Sequence, residues 1–239
     1  MRYLIVFYLL STAFFAQAKV SIQVNHEMFY FAENPRLVDI LSEVTGDNPW
    51  FWPASRLYRL NSSEAEQQRN DIVSELKFIS ISANKELIEQ IHTLINEIQQ
   101  WPLADRVDII IDYDAAQMNA NNNPRFENGD YLLELSLRPT ATRIFGLSLP
   151  SLPVNMSDDQ CAHHYIQNKN IKLANYDSAY IIQANGQTKK IGIAYWNQKC
   201  VELMPGSEIY LPLPESQFSE KYRTLNQKIA MLAKNRIVL

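Results

Sequence analysis

Three groups of side chains in this chain have types and spacings that could do chemistry. Cys161 and Cys200 are the only cysteines, so they form either a disulfide or a catalytic thiol with a spectator. The carboxylates Glu127, Asp130 and Glu134 fall in one segment, and two of them brought across a cleft would serve as the acid and base of glycoside cleavage. His163 and His164 invite a metal, but neighbouring helical residues point about 100° apart and no other His lies near in sequence. Asp112 and Asp114 are spaced like the start of a calcium loop, yet Ala116 holds the next ligand position and the glycine is missing. No nucleophile elbow, phosphate loop or zinc spacing occurs. Nothing in the sequence compels catalysis, and no cofactor is expected.

Residues suited to binding are a different set. Arg138 stands where an early strand-rich half of the chain gives way to a later one. A guanidinium there would fork onto a carboxylate, either of the protein as a salt bridge or of an anionic ligand. Trp50, Trp52, Tyr58 and Trp196 have faces on which sugar rings stack, although core packing is the commoner fate of such rings.

Periodicity shows what must position these residues. Lys19 to Asn25 alternates as a half-buried strand, and Asn34-Pro35 opens a helix that ends at Gly46. The aromatic, proline-containing run from Asn48 to Leu60 reads as an ordered loop. Ser63-x-x-Glu66 forms a capping box for one helix, and a second runs to Trp101-Pro102, so the two make an αα-hairpin over about 62–102. "RVDIIIDYD" then has the apolar density of a central strand. "YLLELSL" alternates Tyr131, Leu133, Leu135 and Leu137 on one face, and "TRIFGLS" is strand-like. Ser157-x-x-Gln160 opens a short helix, Asn185-Gly186 turns a hairpin, and Glu208 to Leu213 makes a last strand.

The turn and strand of "ENGDYLLELS" recur in "MPGSEIYLPLP". The order strand–helix–strand–strand therefore runs twice, with the hairpin inserted in the first copy only. An α+β fold of two β-grasp-type units is expected: residues 19–141, then 142–214. Pro212 and Pro214 point to an edge position for the closing strand. Residues 215–239 read as one amphipathic helix, with Phe218, Tyr222, Leu225, Ile229 and Leu232 on its apolar stripe and Arg236 among its basic residues. It either packs on its own domain or contacts a partner or membrane surface.

Arg2, the apolar run Leu4–Phe15 and Ala16-Gln17-Ala18 together have the form of a cleaved signal peptide over residues 1–18. Export to an oxidising compartment favours the Cys161–Cys200 disulfide. A formal charge of −4 speaks against nucleic acid as a partner.

The stretches "WPASRLYRL", "NPRFENGDYLLELSLRP", "ANGQTKKIGIAYWN" and "MPGSEIYLPLP" occur in an order that resembles the GfcC/YjbG family of periplasmic capsule and exopolysaccharide biosynthesis proteins. That resemblance spans essentially the whole mature chain. It implies tandem β-grasp (SLBB-like) domains like those of outer-membrane polysaccharide export channels, a hairpin inserted in the first, and an amphipathic C-terminal helix. It also implies a periplasmic, non-enzymatic role in assembly or export of a surface polysaccharide, with glycan or the export machinery as partner. Arg138 matches the family's Arg-Pro position, which makes it a candidate ligand residue with Trp50, Trp52 and Trp196. The rival expectation is a polysaccharide hydrolase or lyase that uses cleft carboxylates.

Overall fold

The computed structural model describes residues 19–46, 48–146, 149–157, 161–167, 176–214 and 218–238. The expected signal peptide and the Ser157-x-x-Gln160 helix start fall wholly or partly outside them. The fold is α+β, with two five-stranded mixed sheets and six α-helices among the described residues.

The first sheet is built from β1 (Val20–Val24), β2 (Glu27–Phe31), β3 (Arg56–Arg59), β4 (Asp105–Val107) and β5 (Gly129–Glu134), in the order β2-β1-β5-β3-β4. The second is built from β6 (Ala141–Gly146), β7 (Leu149–Asn155), β8 (Ser178–Ile182), β9 (Thr188–Gly192) and β10 (Glu208–Leu211), in the order β7-β6-β10-β8-β9. The two orders are the same. In each sheet the fifth strand lies at the centre, parallel to the first and antiparallel to the third. Helix α1 (Leu37–Val44) follows the opening hairpin of the first sheet, and α5 (Ala162–Gln167) follows that of the second.

Several expectations need correcting. The supposed loop "WPASRLYRL" contains β3, a central strand. Pro53 lies within a 3-10 turn over Trp52–Ala54, after which Leu57 and Tyr58 are buried on opposite faces of the sheet. "RVDIIIDYD" is the short edge strand β4 and not a central one, because the chain leaves the sheet after Val107 and exposes Ile110. Strand β5 ends at Glu134, which leaves Leu137 in solvent. Strand β10 is central despite Pro212 and Pro214, since both prolines lie beyond its last paired residue, Leu211. Strands β2 and β7, which complete the two opening hairpins, were not foreseen.

The inserted hairpin consists of α2 (Glu64–Ser80) and α3 (Lys85–Gln99). Ser63 does not close a capping box. Its hydroxyl accepts from Gln67, while the Ala65 amide is held by the Asp105 carboxylate at 2.7 Å and Glu66 pairs with Arg69. Asp112 caps another helix, α4 (Tyr113–Met118), where a calcium loop had been considered. The hairpin interrupts the first sheet in sequence but packs elsewhere. Ile72, Leu76, Ile91, Leu94 and Ile98 join Phe145, Tyr180 and Tyr210 of the second sheet in one core.

The tail is not one helix. Residues Leu225–Ala233 form α6, whose Leu225, Ile229 and Leu232 enter that same core. Its apolar stripe is thus covered by the hairpin and the second sheet. The chain then extends: Asn235 accepts from the Ala104 amide at 3.0 Å and Ile237 donates to Pro102 at 2.9 Å. These bonds hold the strand-like end beside the residues leading into β4 and take Arg236 out of the expected polar helix face. Arg236 is only 3% exposed.

Cys161 and Cys200 form a disulfide with 5.0 Å between their Cα atoms. It ties the residue before α5 to the loop after β9, where a strand had been expected. Closing a loop of 39 residues removes unfolded-state entropy worth roughly 3–4 kcal/mol. A Cys161→Ser/Cys200→Ser variant is therefore expected to lose stability of that order in urea unfolding. A midpoint equal to that of the parent would contradict the assignment.

Candidate functional site

The two sheets meet along a seam, and the segment Pro53–Arg56 divides it into two clefts. This segment is the end of the 3-10 turn and the start of β3, and its residues divide between the two sides. Ala54 and Arg56 line one cleft of about 560 Å³, and Pro53 and Ser55 line another of about 590 Å³.

Four charged side chains from four strands line the first cleft. Arg56 arrives from β3, Glu134 from the end of β5, Arg143 from β6 and Glu208 from the start of β10. Arg56 is buried and donates to the Gly206 carbonyl at 2.8 Å, across the seam. Its Nε has no hydrogen-bond partner. Gly206 adopts φ +85°, which the turn before β10 needs, and an added Cβ would press on Pro139 at 3.2 Å. Burial raises the Glu134 carboxyl to a pKa of about 7, against the opposing pull of Arg56, the Val238 amide and Arg106. This carboxyl exchanges its proton near neutrality.

Arg236 holds the floor of the seam. Its Nη2 bonds Glu208, its Nη1 lies 3.4 Å from Glu97 of α3, and its guanidinium sits 4.9 Å from the Trp101 ring and 5.4 Å from that of Phe145. Its carbonyl accepts from the Tyr58 hydroxyl of β3 at 2.8 Å. One residue thus touches the first sheet, the second sheet and the inserted hairpin.

In the second cleft, Trp52 and Ser55 face the β8–β9 turn, where Arg106 donates to Ala184 at 2.5 Å. Gly186 has φ +89°, and a Cβ there would meet Arg106 at 3.1 Å. The strongest turn signal of the sequence therefore also docks one sheet on the other.

The residues singled out from sequence are dispersed. Arg138 is exposed and lies 5.1 Å over the Phe51 ring at the rim, while its neighbour Pro139 lines the first cleft. Trp50 is half-buried against the first core and donates to Val44 at 2.9 Å, closing the end of α1. Trp52 lines the second cleft. Trp196 is 75% exposed on a turn beside Tyr195, lining neither cleft. Tyr58 is fully buried and is unable to meet a ligand. Of the carboxylates considered, Glu134 enters the cleft, whereas Glu127 pairs with Arg59 and Asp130 bonds Ser21 and Asn61. Arg56, Glu208 and Arg236 were missed. Their signal was charge placed at core positions of a strand pattern, visible for Arg56 and Glu208 once their strands are known.

Two family profiles divide the chain between them. The profile "Capsule biosynthesis GfcC, N-terminal" matches residues 16–138, and "Capsule biosynthesis GfcC C-terminal" matches residues 152–238. The chain belongs to the GfcC family of capsule biosynthesis proteins. It is 28% identical over 203 residues to the uncharacterized protein YjbG of Escherichia coli strain K12, which covers 84% of this chain and 82% of that protein. The gap between the two matches contains β6, where the second sheet begins.

Two outcomes follow from the geometry. Arg236→Met leaves Glu208 charged, buried and unpaired, at a cost of about 3–5 kcal/mol, and adding Glu208→Gln restores most of it. Equal losses in the single and double variants would show that the pair is not the cause. The second concerns pH. The Glu134 value of about 7 lies above its ordinary 4.5, so the folded state binds more protons between the two. Its contribution to stability is greatest below about pH 4.5 and declines as pH rises through about 7. Glu134→Gln should remove that decline, stabilising the protein at about pH 8 relative to pH 5 by on the order of 1 kcal/mol after allowance for partial exposure. Parallel pH profiles for parent and variant would refute this.

Proposed function

We propose that this protein is a non-enzymatic periplasmic accessory factor in the assembly or export of a capsular or related polysaccharide, and that it holds glycan in the first seam cleft. Membership of a capsule biosynthesis family supports the pathway. The observation that carries the site is the cleft itself. It opens between the two sheets, offers Glu134 and Arg143 to hydroxyl and acidic groups of a sugar, and has the Arg56 side chain in its lining. The disulfide supports an oxidising compartment, in keeping with a cleaved signal peptide over residues 1–18. Hairpin, helix and three strands, with the fifth strand central, support tandem β-grasp (SLBB-like) domains over 19–141 and 142–214. Because the α6 stripe is covered within the chain, contact with the export machinery falls to outward surfaces such as Tyr195 and Trp196.

The alternative reading is a hydrolase or lyase. One observation favours it: Glu134 is protonated half the time near pH 7, as a general acid must be. Against it, Glu208, the other carboxylate of the cleft, is bound by Arg236 and unavailable as a free base or nucleophile.

Titration calorimetry with oligosaccharides cut from the producing cell's own capsule separates the readings. Binding heat is expected, weakened about tenfold by Arg143→Ala, with polymer length unchanged after long incubation. Absence of heat would end the glycan reading. Shortened polymer, abolished by Glu134→Gln, would establish the enzymatic one.

A further inference from the structure

The sheet edges of this protein are not equally protected. Strand β7, an edge of the second sheet, contains Pro150 and Pro153, which lack the N–H needed for pairing. At the other edge, β9 exposes Lys189 and Lys190. In the first sheet, β4 is only three residues long. Short strands, prolines and lysines are the devices by which sheet edges avoid further pairing. Strand β2, Glu27-Met28-Phe29-Tyr30-Phe31, has none of them, and it is the remaining edge.

Backbone pairing shows which groups of β2 are free. The Asn25 amide donates to Leu133 and the Gly129 amide to Lys19, so odd-numbered residues of β1 face β5. Even-numbered β1 residues then face β2, where Val20, Ile22 and Val24 stand opposite Phe31, Phe29 and Glu27. By the alternation of an antiparallel ladder, Met28 and Tyr30 turn their N–H and C=O groups to the open edge. Their side chains share one face and are exposed, Met28 by 47% and Tyr30 by 68%.

We propose that β2 is a self-association edge whose occupant is β2 of a second copy of this chain, run antiparallel about a two-fold axis at Phe29. In that register Met28 stands opposite Tyr30 of the second copy, and Tyr30 opposite its Met28. The four free N–H and C=O groups of each copy are then paired with those of the other, in two hydrogen-bonded residue pairs. The same register sets a thioether against an aromatic ring twice, a favourable cross-strand contact. Glu27 faces Phe31, so no charge meets its like. Two identical strands run antiparallel about one axis form an isologous contact, in which the Met28–Tyr30 pairing occurs twice. This favours a second copy over an unrelated strand. With five residues a side the contact is smaller than a standard interface, so association is weak and rises with concentration.

Sedimentation equilibrium of the purified protein tests this. A concentration-dependent monomer–dimer equilibrium is expected, weakened about tenfold by Met28→Lys or Tyr30→Lys. Both positions are exposed, and an unchanged far-UV circular dichroism spectrum shows whether the fold is kept. As a second readout, Met28→Cys protein mixed with Tyr30→Cys protein should crosslink between chains faster than either variant alone. A monomer at every concentration would overturn the proposal. So would a dimer that the folded lysine variants leave intact, or crosslinking no faster in the mixture.

Discussion

The buried contact between Arg236 and Glu208 is the constraint on which the rest of this structure depends. A guanidinium and a carboxylate taken out of water are costly unless each meets its partner with good geometry. Here the cation also lies against Trp101 and Phe145, and its own carbonyl receives the Tyr58 hydroxyl. The C-terminal residues must therefore be extended, since a continued helix would carry Arg236 away from Glu208. The backbone bonds of Asn235 and Ile237 to Ala104 and Pro102 fix that path. With the tail in place, the hairpin, which belongs to the first sheet by sequence, is clamped onto the second.

The seam follows from this clamping. Two sheets of equal strand order are held side by side without merging, and the gap between them retains polar groups that a merged core would exclude. Glu134 is the clearest consequence: enough burial to lift its pKa to about 7, yet a position on a cleft wall that a solute can reach. The proposed glycan is assigned to this gap because hydroxyl-rich ligands suit walls of mixed charge and hydrogen-bonding groups.

Much of the fold was legible in the sequence, and its failures have physical causes. Strand β1, the αα-hairpin and the Asn185-Gly186 turn follow from strong local patterns, and the disulfide from compartment reasoning. The strand β3 was hidden because Leu57 and Tyr58 are both buried: a strand covered on two faces does not alternate. "DIIID" misled for the opposite reason, apolar density without a paired neighbour. The site was less legible than the fold. Arg138 drew notice for its place in the chain and proved to lie at the rim, whereas Arg56 and Arg236 derive their roles from contacts across 150 and 28 residues of sequence. No local period records such contacts. Glu134 was visible as one of several acids, and only its surroundings set it apart from Glu127 and Asp130.

The most direct test of the central claim, that the clamped seam is a glycan site, is amide hydrogen exchange with and without the cognate capsular oligosaccharide. The account predicts added protection in peptides spanning residues 132–143 and 204–208, with the α2–α3 hairpin unchanged. Protection confined to the turn bearing Tyr195 and Trp196, or none at all, would contradict it.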